Sequence, residues 1–375
     1  MGRLPRPTLP ATLLVLVLAL VLAGCSSGAQ DAADPDPTQT RSGSAVDRGD
    51  GPLPDGGTPG DPVAVRAGRA LLDWSPVPGP VEATVVRNST WTLTADEAGS
   101  SWRLEGPGPD LGGEAGARER ISDARLDQDW AVVVLQDTRE QRAGRAVVTE
   151  LATGDQFTLD GSSEVPTTNG GSWALGQGQL AHATVSDRAY CLAVVDLPSG
   201  SATPGWCAPP RHGFNGVRIT PSGLSLMTFD DSRPSCRTVA RVVGSETVSF
   251  PAVSRCSSWE GLLLEDGEVW SEIPREKRIE EALLRARVGD DHYDLGPGTS
   301  GTLTWCAGAA YFVRDPQRTG DPARLLRWDP ERGLDVVHES PSARGFLTAP
   351  RCGGDTLTVT VFDEAGDEQV SARLD

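Results

Sequence analysis

The sequence predicts an all-β domain built from a repeated unit of four strands, and three observations predict it. Short apolar or alternating runs are separated by Gly, Asp, Ser and Pro, with no long segment of helical period. One turn glycine recurs at Gly99, Gly154, Gly200, Gly244, Gly289 and Gly333, at intervals of 55, 46, 44, 45 and 44 residues. A second series, out of phase with the first, holds Gly178, Gly223, Gly267, Gly308 and Gly354, at intervals of 45, 44, 41 and 46. Two turns of one period, each joining two strands, make four strands per unit, which is the blade of a β-propeller. At about 44 residues per unit, residues 62–375 hold seven blades, with six as the alternative.

The chain opens differently. Arg3 and Arg6 precede an apolar run from Ala11 to Ala23 that is too short to remain as a spanning helix, so residues 1–24 read as a secretory signal peptide. Its end, Leu22-Ala23-Gly24-Cys25, resembles the lipobox of bacterial lipoproteins. The resemblance implies that Cys25 is acylated on its thiol and becomes the mature N-terminus, with acyl chains contributing about 0.8 kcal/mol per buried methylene. Residues 25–61 then form a linker rich in Gly, Pro, Ser, Thr and Asp, with little to bury and a mean reach of about 35 Å. That layout places the protein on the extracytoplasmic face of the cell membrane.

Within residues 62–375 the strands fall into place around the turns. Trp130 to Leu135 (WAVVVL) is apolar at consecutive positions, as suits a strand buried on both faces, whereas Thr356 to Phe362 (TLTVTVF) alternates. Arg275 to Arg287 carries helix-forming residues, but the period wants a strand there, so a short helix at most is expected, then a strand from about Glu281. The last unit, Phe346 to Leu374, offers three strands. A strand near Pro62 to Arg66 is expected to supply the fourth and close the ring. The architecture is similar to WD40-like and quinoprotein-like propellers, although the repeats lack the Gly-His and Trp-Asp signature of WD40 proteins.

Six cysteines follow Cys25, an even number that in an exported chain favours disulfides. Cys191 and Cys207 flank the turn at Gly200, and Cys236 and Cys256 flank Gly244. Cys306 and Cys352 each stand two residues before a glycine of the second series, which would staple neighbouring blades. No C-x-x-C pair occurs, so a zinc ribbon or thioredoxin-like site is not supported.

Charge excludes some partners. Lys and Arg number 34 against 52 Asp and Glu, a net charge of −18. No cationic cluster suits phosphate backbones, so no nucleic-acid partner is expected. Lys277 is the only lysine beside abundant arginine, a bias that resembles a G+C-rich, actinobacterial coding background and leaves almost no candidate for Schiff-base chemistry.

Catalytic patterns are scarce. G-x-S-x-G, H-E-x-x-H, phosphate-loop and EF-hand patterns are absent. His292 lies among Asp290, Asp291 and Asp294, a solvated acidic turn rather than a metal site, and His182 reads as a hydrogen-bonded core residue. No metal and no cofactor is expected. Trp130, Trp173, Trp259 and Trp305 read as core residues of strands. Propeller geometry directs attention to the mouth of the central channel, where the loops before the innermost strands carry Asp123, Asn169, His212, Asn215, Glu260 and Arg344. The expectation is a monomeric, non-catalytic binding or scaffolding module for an envelope protein, peptide or glycan. The alternative, a surface hydrolase or lyase, requires Asp123, Glu260 and His212 to converge in one pocket.

Overall fold

The computed structural model describes residues 62–254, 256–275 and 278–374. The expected signal peptide, Cys25 and the expected linker lie outside the described residues, among which no helix is long and apolar enough to cross a membrane. Seven blades form a ring, each an antiparallel sheet numbered here in chain order. Their innermost strands are Thr84–Arg87, Glu119–Leu126, Trp173–Gly176, His212–Thr220, Ser258–Leu264, Thr304–Cys306 and, for blade 7, the pair Phe346–Leu347 and Arg351–Cys352.

Seven buried clusters, one at each interface between neighbouring blades, form the core. The second strand of blade 2, Trp130–Asp137, shows why its sequence is apolar without a break. Val133 and Leu135 face blade 1, whereas Val132 and Val134 face blade 3, so both faces of the pleat are buried. From residue 278 onward the stretch expected to hold a short helix and then a strand does so: Ile279–Glu281 is one turn of 3-10 helix and Leu283–Val288 is a strand.

The turn series holds for blades 2 to 6. Gly154, Gly200, Gly244, Gly289 and Gly333 each join the third strand to the fourth, with left-handed φ of 56° to 86°, which glycine adopts without steric cost. Gly99 does not belong to the series. It joins the second strand of blade 1, Thr92–Ala95, to the third, Ser101–Glu105, and the equivalent turn is residues 106–110. That misassignment accounts for the one irregular interval of 55.

Closure also differs from expectation. The missing fourth strand of blade 7 is Ser75–Pro76, antiparallel to Glu368–Arg373, rather than a segment near Pro62 to Arg66. Val63–Ala64 instead pairs parallel with the outer strand of blade 5, and Gly68–Arg69 with that of blade 6. The N-terminal segment is therefore a strap over three blade edges, pinned by Trp74 Nε1 donating to the Val337 carbonyl at 2.9 Å. Proline suits the edge strand, where a missing N–H faces no partner. Blades 7 and 1 meet where a Cβ at Gly353 would lie 1.9 Å from the Arg87 carbonyl oxygen, so only glycine fits. Ser89 N–H donates across the same seam to Asp355 at 2.9 Å.

Three disulfides join Cys191 to Cys207, Cys236 to Cys256 and Cys306 to Cys352. The first lies across paired strands of blade 3, and the last links the innermost strands of blades 6 and 7.

Candidate functional site

Two contiguous cavities of about 420 and 310 Å3 occupy the central channel, sharing Asp123, Arg125, Arg218 and Gly301. Innermost strands of blades 2, 4 and 5 carry irregular register at Ile121/Asp123, Asn215/Arg218 and Ser258/Glu260. Such bulges re-aim side chains, and here they accompany the charged groups that line the cavities.

The second cavity has a plain construction rule. Each innermost strand ends in a four-residue turn, at residues 88–91, 127–130, 176–179, 220–223, 264–267, 306–309 and 353–356. The residue two positions before each turn lines the cavity: Val86, Arg125, Ala174, Arg218, Leu262, Thr304 and Arg351. One position per blade, taken in sevenfold register, thus supplies three guanidinium groups.

Their partners differ. Asp123 accepts from Arg125 Nε at 2.8 Å and forms an ion pair with Arg125 Nη2 at 2.7 Å and a looser one with Arg351 Nη1 at 3.8 Å. Glu260, 3% exposed, accepts the N–H of Gly301 at 2.8 Å and that of Leu303 at 3.1 Å, fixing the loop that enters blade 6. Arg218 donates to its neighbour's carbonyl, Val217 O, at 3.2 Å and has no ion pair within 4 Å among the described residues. Burial is the largest influence on Arg218 and lowers its pKa, with Glu260 the strongest opposing charge. Burial likewise raises Glu260, against the pull of Arg218 and the two N–H donors. For both groups the cost of leaving water exceeds their mutual attraction. Burial also lowers Arg351, although 42% of its side chain is open to the channel.

Of the residues expected at the mouth, the structure brings Asp123, Asn215 and Glu260 into the first cavity and leaves three outside it. Asn215 Oδ1 accepts the N–H of Gly216 at 2.8 Å and a short hydrogen bond from Ser172 Oγ, an inter-blade clasp. Asn169 is a loop strut, donating to the Glu140 carbonyl at 2.7 Å and accepting from Gln136 Nε2 at 3.0 Å. His212 begins its strand on the exposed rim, its ring nitrogen 3.0 Å from the Pro210 carbonyl oxygen. Arg344 pairs with Glu364 at 2.6 Å on the outside. Asp123 and Glu260 thus share a cavity that His212 does not line, and the convergence of these three residues expected for the hydrolase or lyase alternative is not formed.

Trp130 and Trp173 are buried in a blade interface, Trp173 also bordering the first cavity, and Trp305 packs in part on the blade 5–6 core while lining the second. Trp259 departs from its reading as core: it is half-buried at the first cavity, with the Arg237 guanidinium 4.7 Å over its ring. His182 is fully buried, stacked on Trp173 at 5.0 Å, with Nδ1 2.9 Å from the Ala183 carbonyl oxygen. Among the described residues, no group of three or more His, Cys, Asp or Glu could hold a metal.

Comparison with known proteins places the fold. Neither a protein-family model nor a curated protein matches the sequence. The β-propeller domain of the trilobed protease from Pyrococcus furiosus is similar over 77% of this chain and 94% of that one, with a TM-score of 0.55 at 10% identity. A prolyl endopeptidase aligns over 76% of this chain and 47% of its own, with a TM-score of 0.50 at 7% identity. An acylaminoacyl peptidase aligns over 68% and 46%, with a TM-score of 0.48 at 12% identity. The chain spans about half the length of these last two peptidases. The likeness to the trilobed-protease propeller is one of fold alone, and the seven sheets make the chain a seven-bladed β-propeller.

Proposed function

We propose that this chain is an exported, lipid-anchored β-propeller that serves the cell envelope as a non-catalytic binding or scaffolding module, with its ligand-facing surface at the channel mouth. One observation carries the reading. Both carboxylates in the cavity are already engaged, Asp123 by Arg125 and Arg351 and Glu260 by two backbone N–H groups. General acid–base work needs a carboxyl group free to exchange a proton with substrate, and the rim position of His212 supplies no substitute. Anchoring rests on the lipobox resemblance at Cys25, and the partner class is an envelope protein, peptide or glycan reached by a monomer on its linker.

The test is intact mass and membrane partition of the expressed chain beside Cys25→Ala, followed by capture from detergent-solubilised envelope. A lipid mass increment lost in the variant, with one recurrent partner, is the expected result. An unlipidated and freely secreted product would overturn the anchor, and hydrolysis of an envelope substrate by the purified chain would overturn the non-catalytic reading.

A further inference from the structure

We propose that the three channel arginines form a binding site for a small oxyanion, a ligand presenting a carboxylate or phosphate group to Arg218 and Arg351 with its uncharged part beside Trp259 or Trp305. The inference deepens the binding-module reading above and rests on it.

The fold does not ask for arginine at these positions. Four of the seven equivalent residues are Val86, Ala174, Leu262 and Thr304, so small or apolar side chains satisfy the packing. A guanidinium placed there costs desolvation that nothing in the blade requires. The carboxylates answer only part of that cost. Asp123 is shared by Arg125 and Arg351, the second contact being loose at 3.8 Å, and Arg218 has no ion pair at all among the described residues. Three guanidinium groups face two carboxylates, leaving one excess positive charge in the channel of a chain whose net charge is −18.

The donors that remain define the ligand. A guanidinium presents a rigid planar fork that matches the oxygens of carboxylate and phosphate, and the match strengthens where water is excluded. Cavities of about 420 and 310 Å3 lie within the range of small-molecule sites. Trp259, over whose ring the Arg237 guanidinium lies at 4.7 Å, and Trp305, packed in part on the blade 5–6 core, both border the cavities and offer the remainder of the molecule the aromatic surface that stays open there.

The experiment is calorimetric titration of the full chain in detergent with citrate and with glucose 1-phosphate, at low and at high salt, with glucose as the uncharged control. Binding of at least one anion at a single site is expected, weakened by salt, with no binding of glucose. Arg218→Gln should weaken it by about tenfold or more, the worth of a charged hydrogen bond. Arg218→Lys should restore part of it, and Arg332→Gln, on an outer turn, should leave it unchanged. Preference for citrate identifies a carboxylate ligand and preference for glucose 1-phosphate a phosphate one. Circular dichroism on each variant separates lost binding from lost fold. The inference is overturned if neither anion binds the wild-type chain, or if folded Arg218→Gln binds as tightly as wild type. Either failure leaves the envelope-anchor experiment standing, because that test reads Cys25 and a macromolecular partner rather than the arginines.

Discussion

Within one ring of equivalent positions, Val86 and Leu262 do one job and Arg125 and Arg218 another. Val86 and Leu262 belong to buried clusters, at the blade 1–2 and blade 5–6 interfaces, and are 2% and 0% exposed. The arginines are only partly buried, the Arg125 side chain 30% exposed, and line both cavities. The same contrast divides the two carboxylates: Glu260 is buried and ties a loop to its blade, whereas the Asp123 side chain is 23% exposed and neutralises cations. A repeat fold thus separates what the architecture needs from what it merely permits, since seven near-equivalent strands show the requirement several times over.

The largest effect should come from Glu260. Glu260→Ala leaves the N–H groups of Gly301 and Leu303 without their acceptor and removes the strongest opposing charge from Arg218. Urea denaturation should register a loss of about 4 kcal/mol. Asp123→Ala, made at the more open carboxylate, should lose about 1 kcal/mol. Equal losses would erase the contrast between the two. Next in size is Leu262→Ala, which empties a fully buried site and should cost about 3 kcal/mol in the same measurement.

A smaller effect concerns charge placed between blades rather than in the channel. Burial lowers the pKa of His182 from its ordinary 6.5, so the folded state holds the neutral ring. The depressed folded value means that its contribution is fully present above pH 6.5 and is lost as pH falls through that folded value. Chemical denaturation of the wild-type chain across this window should show stability falling with pH. The slope should be shallower in His182→Phe, with His338, also lowered by burial, keeping its own share.

How legible this was in the sequence depended on which turn marked the register. Glycines at Gly154, Gly200, Gly244, Gly289 and Gly333 stand at one structural position, each with a left-handed backbone, and so blade number and two disulfide pairs could be read from their spacing, the third pair coming from Gly308 and Gly354 of the inner turns. The inner turn is more permissive. In blades 1 and 2 the side chains of Asn88 and Asp127 accept from the N–H groups of Trp91 and Trp130, at 2.6 and 2.8 Å, and replace glycine altogether. Counting back from Asn88-Ser89-Thr90-Trp91 and Asp127-Gln128-Asp129-Trp130 would have reached the Val86 and Arg125 positions. Without that anchor, the loops before the strands drew attention to His212, Asn169 and Arg344, which the structure leaves on the rim. A strand near Val63–Ala64 was legible but its partner was not, and Gly68–Arg69 and Ser75–Pro76 were missed, because two-residue strands carry no periodic pattern to detect.

The central claim is that the channel arginines serve a ligand rather than the fold, and Arg218→Leu tests it most directly by giving blade 4 the side chain that blade 5 already carries. Urea denaturation of this variant beside the wild-type full chain, without added anion, should show stability unchanged within about 1 kcal/mol or raised. A loss of more than about 2 kcal/mol would show that Arg218 is needed as the structural counter-ion of Glu260, and would contradict the account.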